Sequence, residues 1–398
     1  MIRGRYDGRA VLSCCSASTV LGVSLQRFVE GDRNMKFAQD WTFGSGHRSI
    51  NRIALAPMTN KQSGEDGQVS EEERAWLSRR AEGGFGMVIT CASHVLPSAK
   101  GFGGQMGIFS DELLPGLEKV ARSLHESRSL GVVQLYHGGV RSPSSLTGVQ
   151  PISASDLPPG DMWGEGARAA TEAEIEEVIE AFASAAQRAW KAGFAGIEVH
   201  GAHGYLITQF IDFHCNQRQD RWGGVLENRA RLLLDIVKRI KQRVPRTFIL
   251  GVRISPEAYQ AGQGLRLEES LQLADWLDEL GIDYLHVSLG DVLRKPIEAV
   301  GPFETTLEHF AQRRRRYALM VAGGVMDPEQ AEQALARGAD WVALGRAGIA
   351  CADWPLAAQR PGFVMPRPPY TEEHLAAQGL GPLFIEYMKR WKGFVAGT

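Results

Sequence analysis

From about residue 50 onward, short apolar runs alternate with longer stretches whose apolar positions recur every three to four residues. The short runs, at 53–58, 86–95, 131–136, 197–199, 247–254, 284–288, 318–322 and 341–344, predict strands buried on both faces. The longer stretches, at 71–82, 111–127, 172–192, 226–243, 267–280, 304–315 and 328–337, predict amphipathic helices. Thr171, with Glu174 three residues on, has the spacing of a capping box. A loop rich in Ser, Pro and Gly spans 137–170. Eight strands, each followed by a helix or helix-like turn, predict an α/β fold, a (β/α)8 TIM barrel in a single domain. An open doubly wound sheet would carry GxGxxG after its first strand, and Ala56-Pro57-Met58-Thr59-Asn60 stands there instead. Residues 1–34 are expected to form a disordered or non-native tail, 35–354 the barrel, and 355–398 an arm packed on it, marked by Pro361, Pro366, Pro368 and Pro369 and then a helical stretch at 383–391.

Composition narrows the partners. With 44% hydrophobic and 23% charged residues, the 398-residue chain is of ordinary globular type. A formal net charge of −2 offers no basic field for nucleic acid, and no run of about 18 apolar residues predicts a membrane span. The basic run Arg313 to Arg316 reads as a solvated face. Five cysteines without a CxxC pair argue against a disulfide framework, a zinc site or an iron–sulfur site; no metal is expected, and a reducing, cytoplasmic setting is. The first 25 residues loosely resemble a secretory signal, but Ser13, Ser16, Ser18 and Thr19 dilute the apolar part.

The densest chemistry lies in Ile-Glu-Val-His-Gly-Ala-His-Gly-Tyr, where a strand runs into His200, His203 and Tyr205. In a barrel, side chains at the C-terminal ends of strands face the mouth, where reactions take place. A neutral imidazole can donate a hydrogen bond to a substrate oxygen, and a phenol can act as an acid. Strands seven and eight end in Gly323-Gly324 and Gly345-Arg346, the pair of loops that commonly binds phosphate. Gln134 and Arg253 end strands three and five, a carboxamide and a guanidinium suited to a pyrimidine-type ring that becomes anionic on reduction. Pro57, Met58 and Thr59 end strand one, and Ala92 leaves space after strand two. Together these suit flavin mononucleotide.

With these residues in place, the chain resembles the Old Yellow Enzyme family of NAD(P)H:flavin oxidoreductases over about residues 51–354, through NRIALAPMTN, GVVQLYHGG, IEVHGAHGYLITQF, the Asn216-x-Arg218-x-Asp220 run continuing to Glu227-Asn228-Arg229, GVRIS, VAGG and ALGR. The resemblance implies non-covalent FMN in the barrel, with Pro57, Met58, Thr59, Ala92, Gln134, Arg253, Gly323, Gly324, Gly345 and Arg346 around it. It implies that NADPH or NADH reduces the flavin and that hydride then passes from N5 to an activated C=C bond. His200 and His203 would grip the substrate oxygen, and Tyr205 would be the proton donor. The Asn216–Arg229 run reads as an ion-paired brace without a catalytic role. Where some members carry Cys and Tyr after the Pro-Met pair, this chain has Thr59 and Lys61. Trp391 is placed equally well as a wall of the site or on the surface, and His137 is read as ordering its loop. The expected partners are a small electrophilic alkene and a nicotinamide cofactor, with no nucleic acid and no membrane; homo-oligomerisation is left open. Two alternatives are a tRNA-dihydrouridine synthase-like FMN barrel and a non-catalytic FMN-binding protein. The first calls for a basic surface and a mobile cysteine; the second sits poorly with the His200, His203 and Tyr205 set. An iron–sulfur reductase branch would require cysteines after the barrel, and residues 352–398 contain none.

Overall fold

The computed structural model describes residues 35–258, 264–298 and 301–398. The tail assigned to 1–34 lies outside them. Eight parallel strands form the centre: β1 Ile53–Leu55, β2 Met87–Ile89, β3 Leu130–Tyr136, β4 Gly196–Gly201, β5 Ile249–Ile254, β6 Tyr284–Ser288, β7 Ala318–Ala322 and β8 Trp341–Leu344. Each pairs with the next, and β8 pairs back to β1, so the sheet closes into a barrel. The main helices follow their strands: α1 Glu71–Glu82, α2 Leu114–Glu126, α3 Glu172–Lys191, α4 Arg231–Arg243, α5 Leu267–Leu280, α6 Thr306–Ala311, α7 Pro328–Ala336 and α8 Arg346–Ala350. The strands are apolar along most of their length because helices cover one face and the barrel core the other. The capping box expected at Thr171 and Glu174 opens α3.

The lower half of the barrel is filled by Ala54, Met87, Ile89, Val132, Ile249, Tyr284, Met320, Trp341 and Ala343. A hairpin of Trp41–Thr42 and Arg48–Ser49 carries Phe43 beneath it. The Phe43 ring stacks on Trp341 at 5.4 Å and sits 6.3 Å from Tyr284. Burying such a ring contributes about 1.5–3 kcal/mol and keeps water out of this end.

Several boundaries depart from the sequence reading. The second strand stops at Ile89 and resumes as a short piece, Ser93–His94. Between them the hydroxyls of Thr90 and Ser93 both donate to the Cys91 carbonyl, at 2.9 and 3.1 Å, and these local bonds turn the chain. The helix expected at 226–243 breaks at Ala230 into two. The loop at 137–170 contains a short helix, Ser144–Thr147, and the paired strands Ile152–Ser153 and Arg168–Ala169. The basic run is not simply solvated: Arg313, Arg315 and Arg316 pair with Asp275, Asp340 and Asp278. The Asn216–Arg229 run is a brace: Arg218 pairs with Asp220, Arg229 pairs with Glu269, and the Asn216 amide donates to the Phe210 and Trp222 carbonyls.

Past α8 the chain returns over the barrel. The Phe384 ring packs 5.5 Å from Trp76, and the Gly381 N–H donates to Gln62 Oε1 at 3.0 Å. The helix Pro382–Met388 is thereby held above the mouth. No helix among the described residues is long and apolar enough to cross a membrane.

Candidate active site

The C-terminal ends of the strands surround a cavity of about 390 Å³. Pro57, Met58, Thr59, Arg253, Gly323, Gly324, Gly345 and Arg346 line it. Ala92 and Gln134 do not line it. Ala92 is buried, and its carbonyl accepts from Gln105 Nε2 at 2.7 Å. Gln134 turns its amide nitrogen to Glu198 Oε1 at 2.8 Å. Gly323 is required by close packing: a Cβ there would meet the Val292 nitrogen at 2.8 Å.

His200, His203 and Tyr205 come together beside this cavity rather than in its lining. The His200 ring centroid lies 5.1 Å from that of His203 and 5.0 Å from that of Tyr205, both nearly edge-on. Tyr136 packs edge-on to Tyr205 at 4.5 Å. His203 adopts φ 62°, a left-handed conformation costing about 1–2 kcal/mol for a residue with a Cβ. Its N–H donates to Ser255 Oγ at 3.0 Å, which holds the turn that aims the ring. Ser288 lines the cavity and joins the two parts of the site: its Oγ lies 2.8 Å from His203 Nε2 and accepts from Arg253 Nη2 at 3.2 Å.

Hydrogen bonding assigns the tautomers. The Ala202 N–H points at His200 Nδ1 at 3.4 Å, so the ring proton sits on Nε2. Arg253 can only donate to Ser288, which leaves the serine proton available to His203 Nε2; in that arrangement the imidazole carries its own N–H at Nδ1. Desolvation by the surrounding protein lowers the pKa of both imidazoles below the usual histidine value, fully for buried His200 and less completely for His203, whose side chain is still exposed at the mouth. At His200 the effect is reinforced by His203, Arg253 and His286, and at His203 by Arg253, His286 and Arg141. Two neutral N–H donors are the result. Burial raises the Tyr205 phenol, and the Arg141 guanidinium, 5.8 Å from its ring, works in the opposite sense. The phenol is therefore protonated at neutral pH.

His137 orders its loop, as read from the sequence. It is buried, its Nδ1 accepts from the Gly139 N–H at 3.0 Å, and burial lowers its pKa to about 3. Trp391 does both things open to it: it lines the cavity and remains 46% exposed. Tyr387 and Met388 of the same arm also line the cavity, and Lys61 Nζ lies 5.3 Å from the Tyr387 ring. Ser288, Arg141 and Tyr387 have no local motif to reveal them, since each reaches the site from a distant part of the chain, and Ser255, although it closes the GVRIS segment, carried no assignment. Glu198 was visible within the Ile-Glu-Val-His motif but carried no assignment.

The residues present fit a flavin mononucleotide. The cavity can take a flat ring, the glycine loops of β7 and β8 with Arg346 suit an anionic tail, and buried Arg253 keeps its Nε without a partner. Comparison with known proteins agrees. Residues 42–361 match the NADH:flavin oxidoreductase / NADH oxidase family. The chain is 38% identical over 324 residues to a probable NADH-dependent flavin oxidoreductase, YqiG, of Bacillus subtilis, covering 79% of this chain and 86% of that protein. Among solved structures it is similar to an old yellow enzyme homologue from Zymomonas mobilis, with TM-score 0.74, 26% identity and coverage of 85% and 96% of the two chains. It is also similar to morphinone reductase in complex with tetrahydroNAD, with TM-score 0.75, 28% identity and coverage of 86% and 94%. The chain thus belongs to the NADH:flavin oxidoreductase / NADH oxidase family, the Old Yellow Enzyme family of FMN-dependent NAD(P)H oxidoreductases.

Proposed function

We propose that this chain reduces electron-poor C=C bonds, such as those of enones and nitroalkenes, at the expense of NAD(P)H. The observation that carries the reading is the cluster of two neutral imidazoles and a protonated phenol, with ring centroids about 5 Å apart, beside a cavity suited to the flavin. Bound FMN supplies the hydride. His200 and His203 donate to the substrate's carbonyl or nitro oxygen, where negative charge grows as the double bond is reduced. Donors held in place by the fold need no reorganisation when that charge appears. Tyr205 delivers the proton to the α carbon, and Arg141 eases its release.

Pro57, Met58, Thr59, Gln134, Arg253, Gly323, Gly324, Gly345 and Arg346 are assigned to the cofactor on the same reading, the first three as a wall for the ring; Ala92, which is buried and does not line the cavity, supplies none of that wall. The buried, unpaired thiols of Cys91, Cys215 and Cys351 support a cytoplasmic setting. The test begins with purification. A yellow protein carrying FMN, reduced by NADH or NADPH and reoxidised by an enone under anaerobic conditions, is the expected result. A flavoprotein that NAD(P)H reduces but no activated alkene reoxidises would overturn the reading.

A further inference from the structure

Two rows of side chains cross the barrel just below the cavity. Gln134, Glu198, Gly251 and Tyr284 are register partners on β3, β4, β5 and β6. His200, Arg253, His286 and Met320 form the next row upward on β4, β5, β6 and β7. Gly251 leaves space for its neighbour, because a Cβ there would stand 2.0 Å from the Tyr284 ring. Glu198 lies at the centre of the first row with no solvent exposure. One of its oxygens accepts from Gln134 Nε2 and the other from His286 Nδ1, each at 2.8 Å.

A buried carboxylate without a counter-charge is costly, so charge must be balanced locally. Burial works against the Glu198 carboxylate, but His286, Arg253 and the bond from Gln134 outweigh it and hold its pKa below the usual value. Burial together with Arg253 lowers the His286 pKa against the pull of Glu198, and the Arg253 guanidinium, which keeps its proton, supplies a lasting positive charge beside the pair. The carboxylate also settles the orientation of Gln134. An ionised carboxylate only accepts, so the amide must turn its nitrogen inward and leave its oxygen free.

We propose that Glu198 is a positioning residue for the flavin, one that locks the Gln134 carboxamide in a single orientation and offsets the charge of Arg253, thereby holding the flavin's reduction potential down. This rests on the assignment of Gln134 and Arg253 to the cofactor. Without Glu198, the guanidinium would act on the ring uncompensated and would stabilise the reduced, anionic form. A residue that merely filled the barrel would leave the potential where it is.

The test uses FMN-loaded protein and reads the midpoint potential by dye equilibration, together with the FMN dissociation constant from flavin fluorescence. For Glu198→Gln, the reduction equilibrium is expected to shift about tenfold toward the reduced form, about 30 mV for a two-electron couple. FMN affinity is expected to fall several-fold as Gln134 comes loose. A folded, yellow Glu198→Gln protein with an unchanged potential overturns the inference while leaving the ene-reductase reading standing. A wild-type protein that binds no FMN sinks that reading and the inference with it. If Glu198→Gln does not retain flavin, Glu198→Asp decides, since it keeps the charge and withdraws the carboxylate from Gln134. Its potential should stay within twofold of wild type in the equilibrium, while FMN affinity falls about tenfold. Wild-type affinity in Glu198→Asp would overturn the proposed lock.

Discussion

Two buried glutamates in different parts of the molecule show how surroundings decide charge. Glu198 on the barrel axis and Glu73 on α1 are both fully enclosed. Glu73 accepts from Asn60 Nδ2 at 2.8 Å and Ser63 Oγ at 3.1 Å, both neutral donors. Burial dominates there and raises its pKa to about 7. Glu198 also has two side-chain donors, but one of them is the His286 imidazole and Arg253 stands nearby, and the two together hold its pKa below the usual value against burial. Two hydrogen bonds do not keep a buried carboxylate ionised at neutral pH; an adjacent cation does. The division of labour follows. Glu73 braces the loop after β1, which carries Met58 and Thr59, whereas Glu198 places a fixed charge near Gln134 and Arg253, the side chains proposed to meet the flavin.

The comparison can be broken most forcefully at Arg253. Arg253→Met leaves Glu198 as an uncompensated buried charge and is expected to cost about 3–5 kcal/mol, read from urea denaturation at pH 7 with FMN in excess. A loss below about 1 kcal/mol would mean that Glu198 is already neutral and no different from Glu73.

Glu73→Gln sharpens the other half and has a definite pH signature. With a pKa of 4.5 when unfolded and about 7 when folded, Glu73 binds more proton in the native state between those values. Its contribution to stability is therefore greatest below pH 4.5, declines as pH rises toward 7 and is lost above it. At pH 8 Glu73→Gln should be more stable than wild type by up to about 3 kcal/mol, and near pH 5 the gain should have mostly gone. Equal differences at both pH values would show that the carboxyl is not perturbed. The smallest effect is expected from Ser63→Ala, which removes one donor to Glu73 and should cost about 1 kcal/mol above pH 7 and less at pH 5, by thermal denaturation.

The same contrast marks how much was legible in the chain. The barrel was readable because strands covered on both faces leave unbroken apolar runs and helices leave a 3.6-residue period. The glycine ends of β7 and β8 and the His200-to-Tyr205 segment were readable because each is one short stretch at a strand end. The pause after Ile89 was not, since hydroxyl-to-carbonyl bonds at Thr90 and Ser93 make it and no periodicity records them. Charge state was also hidden: nothing local to Glu73 or Glu198 says which will meet an arginine from another strand. The link from Arg253 through Ser288 to His203 joins the ends of β5 and β6 to the turn after β4, and the Tyr387 wall arrives from the far end of the chain.

The role given to Tyr205 is the point at which the functional account is most exposed. Stopped-flow spectroscopy of Tyr205→Phe separates reduction of the flavin by NAD(P)H from its reoxidation by an enone. Reduction should proceed within about twofold of wild type, while reoxidation slows by about 10²-fold or more, the usual contribution of a general acid. Equal slowing of both steps, or an unchanged rate of reoxidation, would contradict a phenol that delivers the proton.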